Sequence, residues 1–435
     1  MHFSLDVLPA LKGDCLMLHY GSPKDLHLML IDGGPANVYV PELKPRIEMV
    51  HAARGLDEND ALPVDVVMVS HIDDDHIRGI LELTKEQRRN SPGLRLEVGS
   101  LWHNSFEDLL TTKPGQLLSG FGAASILAGI NPASVFSSVE PDDEDHDKIE
   151  MHQAVEVLSS IPQGQQLRSD AEVLGWKINR KFKGKLIVAS ANLEPVTLEG
   201  GLKLTVAGPM QPELLALQEA HDKWLRERKD GHEKTPQAML AAFVDKSVPN
   251  LSSIVVLAEL CGKSMLLTGD ARGDKILEGL ELAGVLKPKG KKAVNLLKVP
   301  HHGSSNNMEP IFFERLPADH YVFSGDGQHG NPRRQTLEML LEARGEAADY
   351  KIHLTYPIAA IDRKRKEDWN KERGKEQARK KKYPKTKKLP RGAWSPQQHS
   401  LAAFFKKYPK MAKKVRIAGK PHLIDLLEPL SLEAK

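Results

Sequence analysis

The sequence predicts an α/β protein with helices packed on a mixed sheet. Three observations point there. Short apolar runs in the first third end in turn residues. Further along, apolar runs alternate with stretches of helical spacing. Several later runs stop at clusters of His, Asp and Gly. Early strands joined by short turns imply hairpins, whereas strands alternating with helices imply parallel neighbours, so one sheet holds both kinds of pairing.

His2–Val7, Cys15–Tyr20 and His27–Ile31 read as strands, the last closing on Asp32-Gly33-Gly34. Pro41–Arg54 places Leu43, Ile47 and Val50 at helical spacing and precedes the apolar strand Val64–Ser70. The pattern loosens between about Thr112 and Gln165, where Glu140–Asp147 reads as a solvated acidic loop. Lys185–Ala189 and Leu202–Ala207 again look like strands. Pro212–Asp245 is helical in composition and reads as an insertion over about residues 210–245. Ser253–Glu259, Ser264–Leu267 and Val294–Val299 are three more strands, each ending beside polar residues.

Of the 435 residues 40% are hydrophobic, enough for a real core, which excludes a globally disordered chain. Two cysteines, Cys15 and Cys261, cannot build a disulfide framework, and both sit in apolar runs that predict burial. The N-terminal stretch carries Asp6 early and no basic region before it, so it reads as a first strand and not a signal peptide. No apolar run approaches the roughly 18 residues that cross a bilayer. The expectation is a soluble, reduced, cytoplasmic protein without membrane contact.

Charge separates by region. From Arg363 to Arg391 the chain has 15 Lys/Arg against 4 Asp/Glu, a net of +11 within a total of +3. The other 406 residues therefore carry −8. This divides the chain into an acidic body, residues 1–350, and a basic extension, residues 351–435.

The chemistry concentrates at strand ends. Val64–Ser70 runs straight into His71-Ile72-Asp73-Asp74-Asp75-His76, five ionisable groups in six residues. Unpaired charge at the end of a buried strand is costly, and a metal ion removes that cost. His71 and Asp73 alternate, so on an extended turn they point the same way, while Asp75 and His76 stand where a helix begins. Imidazole with carboxylate suits zinc, manganese or iron. The competing reading is a solvated turn with helix-capping aspartates. Four further strand ends carry ligand-type residues: His103-Asn104, Asp270, His301-His302-Gly303-Ser304, and the Gly-rich loop with Asp326, His329 and Asn331.

Taken in order, LIDGG, HIDDDH, LLTGD and LKVPHHGS with their apolar lead-in strands resemble the metallo-β-lactamase-fold hydrolases. Within that fold the chain is most similar to the hydrolase domain of the competence protein ComEC and its soluble relatives, over about residues 3–345. The resemblance implies a four-layer αββα sandwich with a dinuclear site at one edge of its sheets, the catalytic domain being residues 1–350. It implies that His71 and Asp73 bind a first metal, with His103 as a third ligand. Asp75, His76 and His302 would bind a second, and Asp270 would bridge the two. Asp75 would also orient the nucleophile, leaving His301 for the substrate's oxyanion or phosphate. Ser304, His329 and Asn331 would contact substrate, although the loop reads His329-Gly-Asn-Pro332 where the family wording is nearer Gly-His-Pro. Asp73 stands where the wider superfamily has a histidine, and this harder oxygen donor moves the expectation for the two divalent ions from zinc toward manganese.

Two ions about 3.5–4 Å apart lower the pKa of a bound water and neutralise charge on a phosphoryl or carbonyl oxygen. With the basic extension, this predicts a metal-dependent phosphodiesterase or nuclease acting on DNA or RNA, with a place in defence or repair. Two alternatives stay open. One is a hydrolase of a small phosphodiester or other ester, whose basic segment or helical insertion binds a partner protein. The other is a non-catalytic regulatory subunit with a structural metal site.

Overall fold

Side-chain alternation along the strands decides which sheet faces meet. In β1 (His2–Val7) Phe3, Leu5 and Val7 point to one side; in β2 (Cys15–Ser22) Leu16, Leu18 and Tyr20 do the same. With β3 (Asp25–Gly33), β4 (Leu62–Met68), β5 (Leu96–Trp102) and β14 (Leu423–Asp425) they form a six-stranded sheet of order β14-β1-β2-β3-β4-β5. The second sheet has eight strands in the order β13-β12-β11-β10-β9-β8-β7-β6. Its members are β6 (Val196–Thr197), β7 (Lys203–Gly208), β8 (Val255–Leu260), β9 (Lys263–Leu267), β10 (Val294–Lys298), β11 (Ala318–Phe323), β12 (Lys351–Leu354) and β13 (Val415–Ile417). These strands belong to a computed structural model that describes residues 1–89, 94–104, 163–191, 193–211, 252–386, 389–417 and 422–433.

One apolar cluster joins the sheets: Leu5, Leu18 and Ile31 from the first meet Val206, Val256, Met265 and Leu296 from the second. On the outer face of the first sheet, Leu30 and Val67 pack with Ile47 and Ile80 of the helices Lys44–Ala53 and Asp74–Gln87. On the outer face of the second, Leu266, Leu297 and Tyr321 pack with Ile276, Phe312, Leu337 and Phe404 from four more helices. The architecture is thus mixed α/β, with two sheets meeting in one core and helices outside them.

Each sheet is half antiparallel and half parallel. β1, β2 and β3 run antiparallel, while β3, β4 and β5 are parallel. In the second sheet β6 to β9 are antiparallel and β9 to β13 parallel. Parallel strands share a carboxyl-terminal edge, so the residues that follow β3, β4, β9, β10 and β11 are delivered to one edge of the molecule. Open α/β sheets place ligands at that edge.

Two expectations need correction. Lys185–Ala189 forms no strand: the backbone N–H of Ile187 donates to Asn104 Oδ1 and its carbonyl accepts from Asn104 Nδ2, both at 2.8 Å. A side-chain amide replaces the neighbouring strand, and only Ala189 bridges, to Met210. Cys15 is buried as expected, but Cys261 is exposed. It stands with Gly262 in the turn between β8 and β9, both at positive φ (49° and 75°), the conformation of a two-residue hairpin loop.

Past residue 350 the chain returns to both sheets, as β12 and β13 in one and β14 beside β1 in the other. Between β12 and β13 runs the basic helix Ile358–Lys382. Among the described residues, no helix is long and apolar enough to cross a membrane. The acidic stretch Glu140–Asp147 and the insertion Pro212–Asp245 lie outside the described residues.

Candidate metal centre

Asp32 organises the centre from the end of β3. Its Oδ1 accepts the backbone N–H of Ser70 and its Oδ2 the Ser70 hydroxyl, both at 2.7 Å, and Oδ2 also lies 2.9 Å from His76 Nδ1. The helix Asp74–Gln87 reaches this position because two glycines allow it. A β-carbon on Gly79 would sit 1.9 Å from the Gly33 carbonyl oxygen, and one on Gly33 would sit 2.4 Å from Ile80 N. Asp73 holds the N-cap position of that helix with extended φ/ψ, yet its side chain makes no capping hydrogen bond. The capping reading therefore fails at Asp73. Its Oδ2 lies instead 3.5 Å from His71 Nε2, and its Oδ1 is buried without a hydrogen bond. Asp74 faces away, binding Gln163 Nε2 at 2.8 Å and Arg78 at 3.4 Å.

Asp270 is the hub. Its Oδ1 is 3.3 Å from His76 Nε2; its Oδ2 is 3.3 Å from His302 Nε2, 3.7 Å from His301 Nε2 and 4.0 Å from His71 Nε2. Asp75 adds a carboxylate 3.8 Å from His76 Nε2 and 3.7 Å from His302 Nε2. The Nε2 atoms of His71, His76 and His302 and Oδ1 of Asp270 are buried, and none has a well-aligned hydrogen bond. The opposite edges of the rings are occupied: His71 Nδ1 by Ser70 Oγ at 3.1 Å, His302 Nδ1 by Ser324 Oγ at 3.0 Å and Asp14 Oδ1 at 3.2 Å. An imidazole tied at Nδ1 presents Nε2 inward, the arrangement in which outer carboxylates orient metal-binding histidines. Convergent buried donors of this type fit a divalent cation, and a buried group of Asp14, His76, Asp270 and His302 is close enough to hold one.

The same groups are tightly coupled by charge. Burial opposes ionisation of Asp270, but His302, His76 and His301 overcome it and hold its carboxyl well below the usual range. Asp75 is held low against burial by His76 and His302. Burial also opposes charge on His302, yet Asp270 and Asp14 push it up to about 9, and His76 is raised by Asp270 and Asp32. For His301 burial prevails and its pKa falls.

Sequence reading missed Asp14 and Lys298. Asp14 lies between β1 and β2, 1% exposed, and forms an ion pair with the equally buried Lys298, which also donates to the Gly269 carbonyl at 3.1 Å. Burial works against the Asp14 charge, but Lys298 and His302 hold its carboxyl far below the normal range. The available signal was a Gly-Asp pair directly before an apolar strand. Gly13 is needed there, since a β-carbon would lie 1.9 Å from the Asp75 carbonyl oxygen.

The other expected residues divide. His301 sits on the rim, its side chain 20% exposed, and it and His302 both adopt left-handed backbone (φ 47° and 54°), a costly geometry for non-glycine residues that concentrates at functional sites. Asn331 is buried and its Nδ2 donates to the His301 carbonyl at 3.5 Å. Ser304 turns its hydroxyl back to accept the Asn306 N–H at 3.4 Å. His329 is exposed, with its backbone N–H bound to Asp368. His103 is buried after β5, clamped by Asn179, which takes its N–H at 3.0 Å and donates to its carbonyl at 2.9 Å. Its ring belongs neither to the group of Asp14, His76, Asp270 and His302 nor to the second such group among the described residues, His71, Asp75 and His76. No protein-family model matches the chain, and no curated protein does.

Proposed function

We propose that this chain is a dinuclear metal-dependent hydrolase of the metallo-β-lactamase fold that cleaves phosphodiester bonds in DNA or RNA. One observation carries the reading. Three buried imidazole Nε2 atoms converge on Asp270 and Asp75 without hydrogen bonds, at the shared carboxyl edge of two parallel half-sheets. The helices outside two sheets that meet in one core support the αββα layering.

On this reading His71 and Asp73 would hold one ion, Asp75, His76 and His302 would hold the other, and Asp270 would serve both. When bound, such ions supply Lewis acidity and make water a nucleophile near neutral pH. The chain's own part is positioning. Asp32, Asp14, Ser70 and Ser324 fix the rings from behind. His301 is the most accessible of the four histidines and stands ready to donate a hydrogen bond to a phosphoryl oxygen.

The test is hydrolysis of labelled single- and double-stranded DNA and RNA with Mn²⁺ or Zn²⁺, beside the double variant Asp75→Ala, His76→Ala. Cleavage of a polymer by the wild type and none by the variant is expected. Equal cleavage by both would place the activity elsewhere, and no cleavage by either would refute the nuclease reading.

A further inference from the structure

The basic helix Ile358–Lys382 is bolted at its start to the loop that borders the metal centre. Gly327 packs so closely on it that a β-carbon would lie 2.3 Å from the Ile361 carbonyl oxygen. Arg365 Nε donates to the Gly330 carbonyl at 3.1 Å, and Asp368 accepts the His329 N–H at 2.5 Å. That loop continues into Asn331, on the His301 carbonyl, and Arg333, whose backbone N–H donates to the Gly303 carbonyl at 3.0 Å.

Of the acidic groups on this helix, Glu367 and Glu372 stay at the surface and pair with Lys364 and Lys375, whereas Asp362, Asp368 and Glu376 are used by the chain itself. Asp362 accepts the N–H groups of Leu401 and Ala402 at 2.7 and 2.9 Å. Glu376 takes the guanidinium and the backbone N–H of Arg391 at 2.6–2.8 Å. Arg363, Lys366, Lys371, Lys381 and Lys382 remain exposed and form no ion pair among the described residues. At the foot of the helix Arg333 is half-buried. Its guanidinium donates to Asn306 Oδ1 at 2.9 Å and meets no carboxylate among the described residues. Burial and the nearby Arg391 charge disfavour this cation, which an anion would relieve.

We propose that Arg333 and the outward basic face of helix Ile358–Lys382 form one phosphate-binding strip that carries a nucleic-acid backbone to the metal centre. From Arg363 to Lys382 the helix is about 28 Å long, the span of roughly eight phosphates of a B-form strand at about 3.4 Å each. Those five outward cations meet no carboxylate among the described residues, and the helix starts where the reacting phosphate would sit. The strip recognises backbone and not base: Trp369 is covered by His399, with ring centres 4.1 Å apart, and by Arg391 at 5.1 Å, so its faces are not open to stacking. The strip's destination rests on the hydrolase reading; its existence as a binding surface does not.

The experiment uses the full chain in EDTA, so binding is read without cleavage. Anisotropy of a labelled 30-nucleotide DNA and of a labelled dinucleotide is followed across a salt series. The variants are Arg333→Gln and the quadruple Lys366→Gln, Lys371→Gln, Lys381→Gln, Lys382→Gln, with circular dichroism checking their fold. The quadruple variant is expected to bind the 30-mer about 10–100-fold more weakly, with a salt slope lower by about 3. Its dinucleotide affinity should be unchanged, while Arg333→Gln weakens both ligands. Unchanged 30-mer affinity in the quadruple variant would overturn the strip. So would polyglutamate of equal charge displacing the DNA at the same concentration, which would assign the face to an acidic protein. Metal content, measured separately, keeps the two readings apart: DNA binding without metal uptake removes the hydrolase and leaves the strip.

Discussion

Replacing Asp14 by Asn tests whether the centre is held by buried charge. Asp14 and Lys298 are each 1% exposed, and the pair is ionic. With the charge gone, Lys298 keeps an amide oxygen as acceptor, the Gly269 carbonyl at 3.1 Å and, as its remaining carboxylate among the described residues, Asp270 Oδ1 at 3.9 Å. Breaking a buried pair from one side costs about 3–5 kcal/mol. The remaining contact with Asp270 places Asp14→Asn near the lower end, about 3 kcal/mol. Since Asp14 also lies 3.2 Å from His302 Nδ1, metal affinity should fall by about 10–100-fold. Urea unfolding in EDTA reads the first effect and competition with a chelating dye reads the second. The double variant Asp14→Leu, Lys298→Met removes both charges, so it should recover most of the stability and none of the metal affinity. Wild-type stability in Asp14→Asn, or recovery of both properties in the double variant, would refute the reasoning.

Three other expectations follow from the same contacts. Burial first, and neighbouring cations second, lower His19 to about 3, His353 to about 2 and His422 to about 4. Their folded pKa values lie below the unfolded value of about 6.5, so the unfolded chain takes up protons first and stability falls as pH drops from about 6.5 toward 4. Each contributes at most about 1.4 kcal/mol per pH unit; urea midpoints from pH 7 to 4.5 should show the loss, and His353→Gln should flatten it. A slope unchanged by that substitution would exclude His353. Gly33→Ala should cost about 1–3 kcal/mol by pushing the helix Asp74–Gln87 off β3, and an unchanged melting temperature would contradict that close approach. Maleimide should label Cys261 quickly and Cys15 only on unfolding, as mass spectrometry of the two peptides can decide.

Much of the centre was legible because parallel strands deliver their ends to one edge. An apolar run followed by His71–His76, by Asp270 or by His301-His302 announces itself locally. The parts that were not legible depend on tertiary approach. Asp14 belongs to a turn of the antiparallel half, and only the packing of Gly13 against Asp75 brings it to His302. Asp32 was visible as a turn residue, but its three contacts with Ser70 and His76 span 38 and 44 residues of chain. Lys185–Ala189 has strand-like composition, yet Asn104 meets the backbone groups of Ile187 that a strand would have bonded. Cys261 sits in an apolar run but occupies a left-handed turn position, and the turn exposes it.

Metal stoichiometry tests the central claim most directly. The purified chain would be dialysed against Mn²⁺ or Zn²⁺ with a weak chelator, and bound metal quantified beside His71→Ala and His302→Ala. The account predicts two ions per wild-type chain and about one in each variant, with the fold retained. No bound metal in the folded wild type, or full occupancy in both variants, would contradict it.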